Sequence, residues 1–247
     1  MALLSGPHAP PQAGGAARQL VVLLHGVGAD GDDLIGLAPA LARRLPYAAF
    51  IAPNAPEPCD MAPFGRQWFS LRDRREAALL AGARAAAPVL DSFLDAALAR
   101  HGLADHQLAL VGFSQGTMMA LHVAPRRRSS VGAVLGFSGA LVGGELLAAE
   151  AVSRPLVLLI HGDADEVVPV QALFAAIDGL QAASIAVQWS IREGLPHAID
   201  PESIEQGAEF IDAALRGAAR PADLPAQRFS MISSARPSAG SKPNTLP

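Results

Sequence analysis

A serine set between glycines is the first feature of the chain that could do chemistry. Residues 112–116 read Gly-Phe-Ser-Gln-Gly, which fits the pattern G-x-S-x-G. An apolar run ends just before it at Val111, and a helical pattern follows from Thr117. In this pattern the serine occupies a sharp strand-to-helix turn, where side chains on the flanking glycines would clash. The motif and its context predict Ser114 as a nucleophile.

A serine hydroxyl becomes a good nucleophile when a histidine takes its proton and a carboxylate orients that histidine. Where this motif sits on an α/β sheet, the chain order is serine, acid, histidine. Only His161 and His197 lie well downstream of Ser114. His161 precedes the available acids and breaks that order, whereas His197 lies in a Gly/Pro loop after the last predicted strand. His197 is therefore the predicted base.

Two acids in one loop compete for the orienting role. Asp163 and Asp165 both follow the apolar run 156–160, and their spacing does not separate them. The other aspartate is expected to form a turn by accepting backbone N–H groups. A second serine, Ser138, also follows a strand, but Ala140 stands where the motif needs its last glycine, so we interpret it as a structural turn.

Short apolar runs alternate with helical patterns along the chain. Strands are predicted over 20–24, 48–52, 107–111, 131–135, 156–160 and 185–189, and helices over 33–45, 84–100, 117–123, 170–180 and 203–215. Pro88 is expected in the first turn of its helix. Continuous apolar strands are typical of sheets covered on both faces, and the alternation favours an α/β fold with a mostly parallel central sheet. Chemistry then gathers at the carboxyl ends of the strands.

Length and composition predict one α/β domain over residues 20–219. Residues 1–19, rich in Ala, Pro and Gly, are expected to be a flexible segment without the pattern of a signal peptide. Residues 220–247 are expected to be a disordered tail. Insertions are short, so no large lid domain is expected.

A net charge of −4 gives no reason to expect nucleic acid or an anionic membrane as a partner. No stretch reads as long and apolar enough to span a bilayer. Cys59 is the only cysteine, which is compatible with a reducing compartment, and we expect a cytoplasmic protein. The acidic run 30–33 lacks a histidine-carboxylate cluster, so it predicts turns and helix caps and no metal site.

Four ordered blocks of sequence resemble those of a known family. They are 24–34 (Leu-His-Gly-Val-Gly-Ala-Asp-Gly-Asp-Asp-Leu), 112–116, 161–169 (His-Gly-Asp-Ala-Asp-Glu-Val-Val-Pro) and 194–197 (Gly-Leu-Pro-His). Over about residues 20–215 the chain resembles the bacterial branch of the phospholipase/carboxylesterase family, which is related to the acyl-protein thioesterases. The resemblance implies Asp165 as the orienting acid, and oxyanion donors from the backbone N–H groups of Val27 and Gln115. It implies no cofactor, and it is compatible with a homodimer.

The loop from Pro53 to about Glu76 carries a Gly-Arg-Gln-Trp-Phe stretch that lies near the active site in similar bacterial proteins. We hypothesise that Phe64 and Trp68 line an acyl pocket. The alternative is that these aromatic side chains anchor the loop on the core.

The sequence predicts a serine carboxylesterase that hydrolyses small-molecule esters of short to medium chain length through an acyl-enzyme on Ser114. An acyl-thioesterase or a lysophospholipase would use the same three residues. A non-catalytic binding or scaffold protein on the same fold is the alternative of a different class, but such a protein would be expected to lose one of the three residues or a motif glycine.

Overall fold

The computed structural model describes residues 4–217 of the chain, and the predicted tail 220–247 lies outside them. Nine strands are found in this part: β1 (His8–Ala9), β2 (Gln19–Leu24), β3 (Ala48–Ile51), β4 (Glu57–Pro58), β5 (Arg66–Gln67), β6 (Leu108–Phe113), β7 (Ala133–Phe137), β8 (Leu156–Gly162) and β9 (Val187–Arg192). Seven of them form one sheet in the order β1-β3-β2-β6-β7-β8-β9. All neighbours in this sheet are parallel except β1 and β3. The predicted mostly parallel sheet is confirmed.

Seven α-helices cover the sheet within the described residues. They are α1 (Gly31–Ile35), α2 (Ala38–Ala42), α3 (Glu76–His101), α4 (Gln115–Val123), α5 (Gly144–Glu150), α6 (Gln171–Ala182) and α7 (Pro201–Leu215). The apolar side chains of α3, α4, α5 and α6 join one core, and those of α1, α2 and α7 join the other. Alternate residues of β2 enter the two cores, Leu20 and Val22 one and Val21 and Leu23 the other. The central strands are therefore apolar throughout, as strands covered on both faces must be.

Two helices differ from their predictions, and one was not predicted. Where one helix was predicted over 33–45, the structure has the two short helices α1 and α2, and Pro39 lies near the start of α2. α3 begins at Glu76, so Pro88 lies inside the helix and not in its first turn. The alanine-rich sequence before Pro88 favours helix strongly enough to extend it toward the N-terminus. The short helix α5 was not predicted.

The N-terminal segment differs from the prediction that residues 1–19 lie outside the domain. His8 and Ala9 pair antiparallel with Ile51 and Phe50 of β3. The Ala52 N–H donates to Pro7 O at 2.9 Å, and Leu4 packs against the core. Over residues 4–19 the chain is thus tied to the sheet edge, because its backbone groups find partners on β3.

One helix in the described part of the chain, α3, has the length and apolar composition of a membrane span. The expectation that no stretch has these properties is corrected, because the prediction began this helix at Arg84 and missed its apolar first part. Core helices of globular proteins meet the same criterion. Here one face of α3, including Leu90, Phe93 and Leu94, is buried in the core beside the sheet.

A buried histidine near the end of α4 makes the stability of this fold sensitive to acid. His122 is 1% exposed, and its Nδ1 atom has no hydrogen-bond partner within residues 4–217. Burial is the main cause that lowers the pKa of His122 to about 4, and the positive charges of Arg126 and Arg84 contribute to this shift against the opposing effect of Glu150. The folded protein therefore holds this side chain neutral near neutral pH.

We expect His122→Leu to remove part of the acid sensitivity of folding. In the unfolded chain His122 takes up a proton at a pH of about 6.5, whereas in the folded chain it stays neutral down to about 4. The free energy of unfolding that depends on His122 is therefore complete above pH 6.5 and falls as the pH drops from about 6.5 to about 4. Urea unfolding at several pH values between about 4 and 6.5 measures the slope of the free energy of unfolding against pH. The exposed His106→Leu should keep the wild-type slope, and an unchanged slope in His122→Leu would contradict this account.

Candidate active site

Ser114 lies on a strained turn between β6 and α4. Its backbone has φ 54° and ψ −116°, a left-handed conformation that is rare for a residue with a side chain. A Cβ on Gly112 would meet the backbone of Thr117, and one on Gly116 would meet the Leu24 carbonyl group. The two motif glycines are thus required by close backbone contacts, as the sequence predicted.

Hydrogen bonds from the neighbouring strand hold this turn. The Ser114 N–H donates to Phe137 O at 2.9 Å, and the Thr117 hydroxyl contacts both Phe137 O at 2.9 Å and Gly112 O at 2.8 Å. Ser138 follows directly at the end of β7, with φ 48° and its N–H bonded to Ile160 O at 3.0 Å. The turn at Ser114 is therefore fixed to the carboxyl ends of β6 and β7.

His197 and Asp165 form a directly bonded pair. His197 Nδ1 donates to Asp165 Oδ2 at 2.8 Å, and the carboxylate is buried. Asp165 Oδ1 accepts the N–H groups of Val167 at 2.9 Å and Val168 at 2.8 Å. Burial alone would raise the pKa of Asp165, but the hydrogen bonds from His197, Val168 and Val167 outweigh it and lower the pKa. The carboxylate is thus held ionised, ready to orient the imidazole.

Packing brings His197 against the residue that precedes Ser114. Its ring lies on Phe113, the residue before Ser114, with ring centroids 4.8 Å apart. In the described part of the chain the hydrogen bonds of His197 reach Asp165 and not Ser114. The structure thus joins acid and histidine directly, and the histidine contacts the residue that precedes Ser114.

Asp163, in the loop after β8 that also carries Asp165 (the acid loop), and His161, near the end of β8, have supporting positions. Asp163 Oδ1 accepts the Gly194 N–H at 2.7 Å, which ties the acid loop to the loop that carries His197. His161 Nε2 donates to Val168 O at 2.7 Å and lies 3.4 Å from Asp165 Oδ2. The structure therefore separates the two aspartates that spacing left equivalent, because only Asp165 contacts His197.

Two backbone N–H groups beside Ser114 have no acceptor within residues 4–217. They belong to Gln115, the first residue of α4, and to Val27, in the loop after β2. A Cβ on Gly26 would lie 3.2 Å from the Ser114 Cβ, so this loop passes close to the serine. These are the two groups that the resemblance implies as oxyanion donors.

His25 braces the loop that carries Val27. His25 Nε2 accepts the Ala55 N–H at 3.0 Å, so Nδ1 carries the proton and donates to Gly26 O at 2.7 Å. Burial lowers the pKa of His25 against the raising effect of the Gly26 bond, which keeps the ring in this neutral form.

A second loop, residues 53–75, is hydrogen-bonded to Gln115 and to the loop after β2. The Gln115 side chain accepts the Trp68 N–H at 3.0 Å and donates to Phe69 O at 2.6 Å. The Gly28 N–H donates to Arg66 O at 2.8 Å, and the Arg66 N–H donates to Ala29 O at 2.9 Å. Sequence reasoning assigned no role to the Gln115 side chain or to Arg66, although the Gly-Arg-Gln-Trp-Phe stretch marked this loop.

The structure corrects the prediction that Trp68 lines an open acyl pocket. Its side chain is only 1% exposed and belongs to the core, and its indole N–H donates to His25 O at 3.0 Å. Trp68 thus anchors the loop, which is the alternative considered from the sequence. Phe64 is 73% exposed, and a contact with an acyl chain stays a prediction for it.

In the region that the structure describes, no group of three or more histidine, cysteine or acidic side chains could hold a metal ion. Asp30 in the acidic run caps α1, where its side chain accepts the N–H groups of Asp32 and Asp33. This is the capping role that the sequence indicated.

Several known proteins are similar to this chain in sequence and fold. The sequence profile of the Phospholipase/Carboxylesterase family matches residues 11–215. The chain is 31% identical over 189 residues to esterase YpfH of Escherichia coli (strain K12), covering 76% of this chain and 80% of the esterase. It is 28% identical to acyl-protein thioesterase 1 of Saccharomyces cerevisiae, over 81% of this chain and 94% of that protein. The crystal structure of esterase PE8 is similar, with 45% identity, a TM-score of 0.81 and coverage of 85% of this chain and 98% of that one.

The fold and the comparisons together define a serine hydrolase with the α/β-hydrolase fold, acting on carboxylic esters. The chain belongs to the phospholipase/carboxylesterase family, so the resemblance inferred from four sequence blocks is confirmed.

We expect Trp68→Ala to lower the free energy of unfolding by about 3–5 kcal/mol, because it leaves a cavity and an unpaired His25 carbonyl group. Phe64→Ala in the same loop should change it by less than about 0.5 kcal/mol, because that side chain is exposed. Urea denaturation of both variants measures the difference. Equal stability losses would show that Trp68 does not anchor the loop.

Proposed function

We propose that this protein is a serine carboxylesterase that hydrolyses esters of short to medium acyl chain length through an acyl-enzyme on Ser114. The observation that carries the proposal is the bonded Asp165–His197 pair packed on Phe113, directly beside the strained Ser114. A serine, a histidine and an acid in this order perform acyl transfer on several unrelated folds.

In the first half of the reaction, the Ser114 oxygen attacks the ester carbonyl carbon while His197 Nε2 takes the hydroxyl proton. The tetrahedral intermediate collapses, the carbon–oxygen bond to the alcohol breaks, and His197 returns the proton to the leaving alcohol. Asp165 keeps Nδ1 protonated and stabilises the transient imidazolium, so Nε2 faces the serine as the base.

In the second half, water replaces the alcohol. His197 removes a proton from this water, the resulting hydroxide attacks the acyl carbon, and the bond to the Ser114 oxygen breaks with the proton returned to serine. The carboxylic acid leaves, and the enzyme is restored. Ser114, His197 and Asp165 each have a role in both halves, and no cofactor takes part.

Charge on the carbonyl oxygen is the main cost of both steps, and we assign its stabilisation to the backbone N–H groups of Val27 and Gln115. The two groups are without acceptors in the described residues, and Gln115 opens a helix whose N-terminus favours negative charge. One donor of this kind contributes about 3–4 kcal/mol to transition-state stabilisation.

The preference for short and medium acyl chains rests on the absence of a large covering domain within residues 4–217. The longest connection beside the site, residues 53–75, contains only the short β4–β5 pair. A thioesterase activity is the second candidate, since acyl-protein thioesterases are among the relatives and the same three residues would serve. Matched oxygen esters and thioesters of equal chain length separate the two.

The two aspartates of the acid loop offer a matched test. We expect wild type to hydrolyse p-nitrophenyl esters from acetate to laurate. The highest kcat/KM should be found with a short or medium acyl chain and not with laurate. Asp165→Asn should lower kcat by about 10⁴-fold, because the amide favours the wrong tautomer of His197. Asp163→Asn keeps an oxygen to accept the Gly194 N–H, so we expect less than about a tenfold loss.

Circular dichroism of both variants controls for folding. Equal losses in Asp165→Asn and Asp163→Asn would remove Asp165 as the orienting acid. A folded wild type that hydrolyses neither oxygen esters nor thioesters would refute the proposed function.

A further inference from the structure

A cavity away from Ser114 lies between the N-terminal segment, β3 and the C-terminal half of α3. Its volume is about 470 Å³, which is within the range of small-molecule sites. The residues that line it come from 4–17, 49–51 and 93–101, so it shares none with the site around Ser114. It exists because residues 4–17 fold back onto the sheet edge, which the sequence did not predict.

Small apolar side chains leave this space open. On α3, Phe93, Ala96 and Ala97 face it at helical spacing, and Ala49 and Ile51 of β3 form another wall. Larger residues at the alanine positions would close it. An apolar space with this lining suits a hydrocarbon chain.

Basic side chains gather at one part of the wall. His8, Arg100 and His101 line the cavity, and its lining contains no acidic side chain. None of the three forms an ion pair with another described residue. The pKa of His101 is lowered by burial first, then by the charges of Arg100 and His8, so the charged form of His101 is disfavoured there. An anion placed among them would relieve this repulsion.

We propose that this cavity binds a medium-chain fatty carboxylate, with the hydrocarbon chain against Phe93 and Ala97 and the carboxylate paired with Arg100. A guanidinium group can bind a carboxylate through two parallel hydrogen bonds. The ligand combines an apolar chain with a single negative charge, matching the two parts of the wall. This site goes beyond the proposed esterase activity, since it neither contains nor requires Ser114.

Isothermal titration calorimetry with octanoate, decanoate and dodecanoate tests the proposal on the full-length protein. We expect affinity to rise about fourfold per added methylene group, because each is removed from water. Arg100→Ser should weaken decanoate binding by about tenfold or more, because a charge-assisted pair is lost. Decanol, which lacks the charge, should bind wild type and Arg100→Ser equally.

Matched variants control for changes away from the cavity. Arg43→Ser removes an exposed arginine that lines no part of it, and should bind decanoate as wild type does. Ala97→Leu fills the cavity and should abolish binding, whereas Ala99→Leu on the exposed side of the same helix should not. A wild-type circular dichroism spectrum and a cooperative urea unfolding transition show that each variant is folded.

Three results would overturn the proposal: no decanoate binding to wild type, equal weakening in Arg100→Ser and Arg43→Ser, or wild-type affinity in a folded Ala97→Leu. The last result would place the carboxylate elsewhere, including the site around Ser114. None of these outcomes depends on ester hydrolysis being the function of that site.

Discussion

The left-handed backbone of Ser114 is the constraint on which the rest of the site depends. A residue with a side chain in such a conformation costs on the order of 1–3 kcal/mol, and persists only where its surroundings leave no alternative. Here Phe137 O accepts the Ser114 N–H, and the neighbouring glycines let α4 approach the ends of β2 and β6. The parallel sheet therefore does more than support the serine, because its strand ends impose the turn on which it lies.

Gln115 connects this turn to the loops around it. Its backbone N–H is one proposed oxyanion donor, while its side chain holds the backbone of Trp68 and Phe69. Trp68 in turn bonds His25 O, next to Gly26 and the proposed donor Val27. One residue therefore links both sides of the proposed oxyanion site. A change in the loop 53–75 would shift the positions of both donor N–H groups.

How much could be predicted from the sequence follows from how local each signal is. Six strands of the main sheet and the sharp turn at Ser114 were predictable, because apolar runs and the glycine motif are contained in short stretches. Asp163 and Asp165 could not be separated by spacing, since both lie in one loop and only side-chain direction decides which meets His197. Trp68 was hypothesised to line a pocket because an aromatic residue near a site reads the same whether it faces ligand or core. The pairing of β1 with β3 was missed because two residues carry no periodic signal for a partner about forty positions away.

The most direct test of the central claim is to trap the acyl group on the protein. Wild type is mixed with p-nitrophenyl butyrate, quenched in acid within its first turnovers and digested for mass spectrometry. The account predicts a butyryl group on the peptide that contains Ser114, and no such adduct in Ser114→Ala, which should also lose hydrolysis. Turnover by Ser114→Ala at the wild-type rate, or a butyryl group carried by another residue during wild-type turnover, would contradict the account.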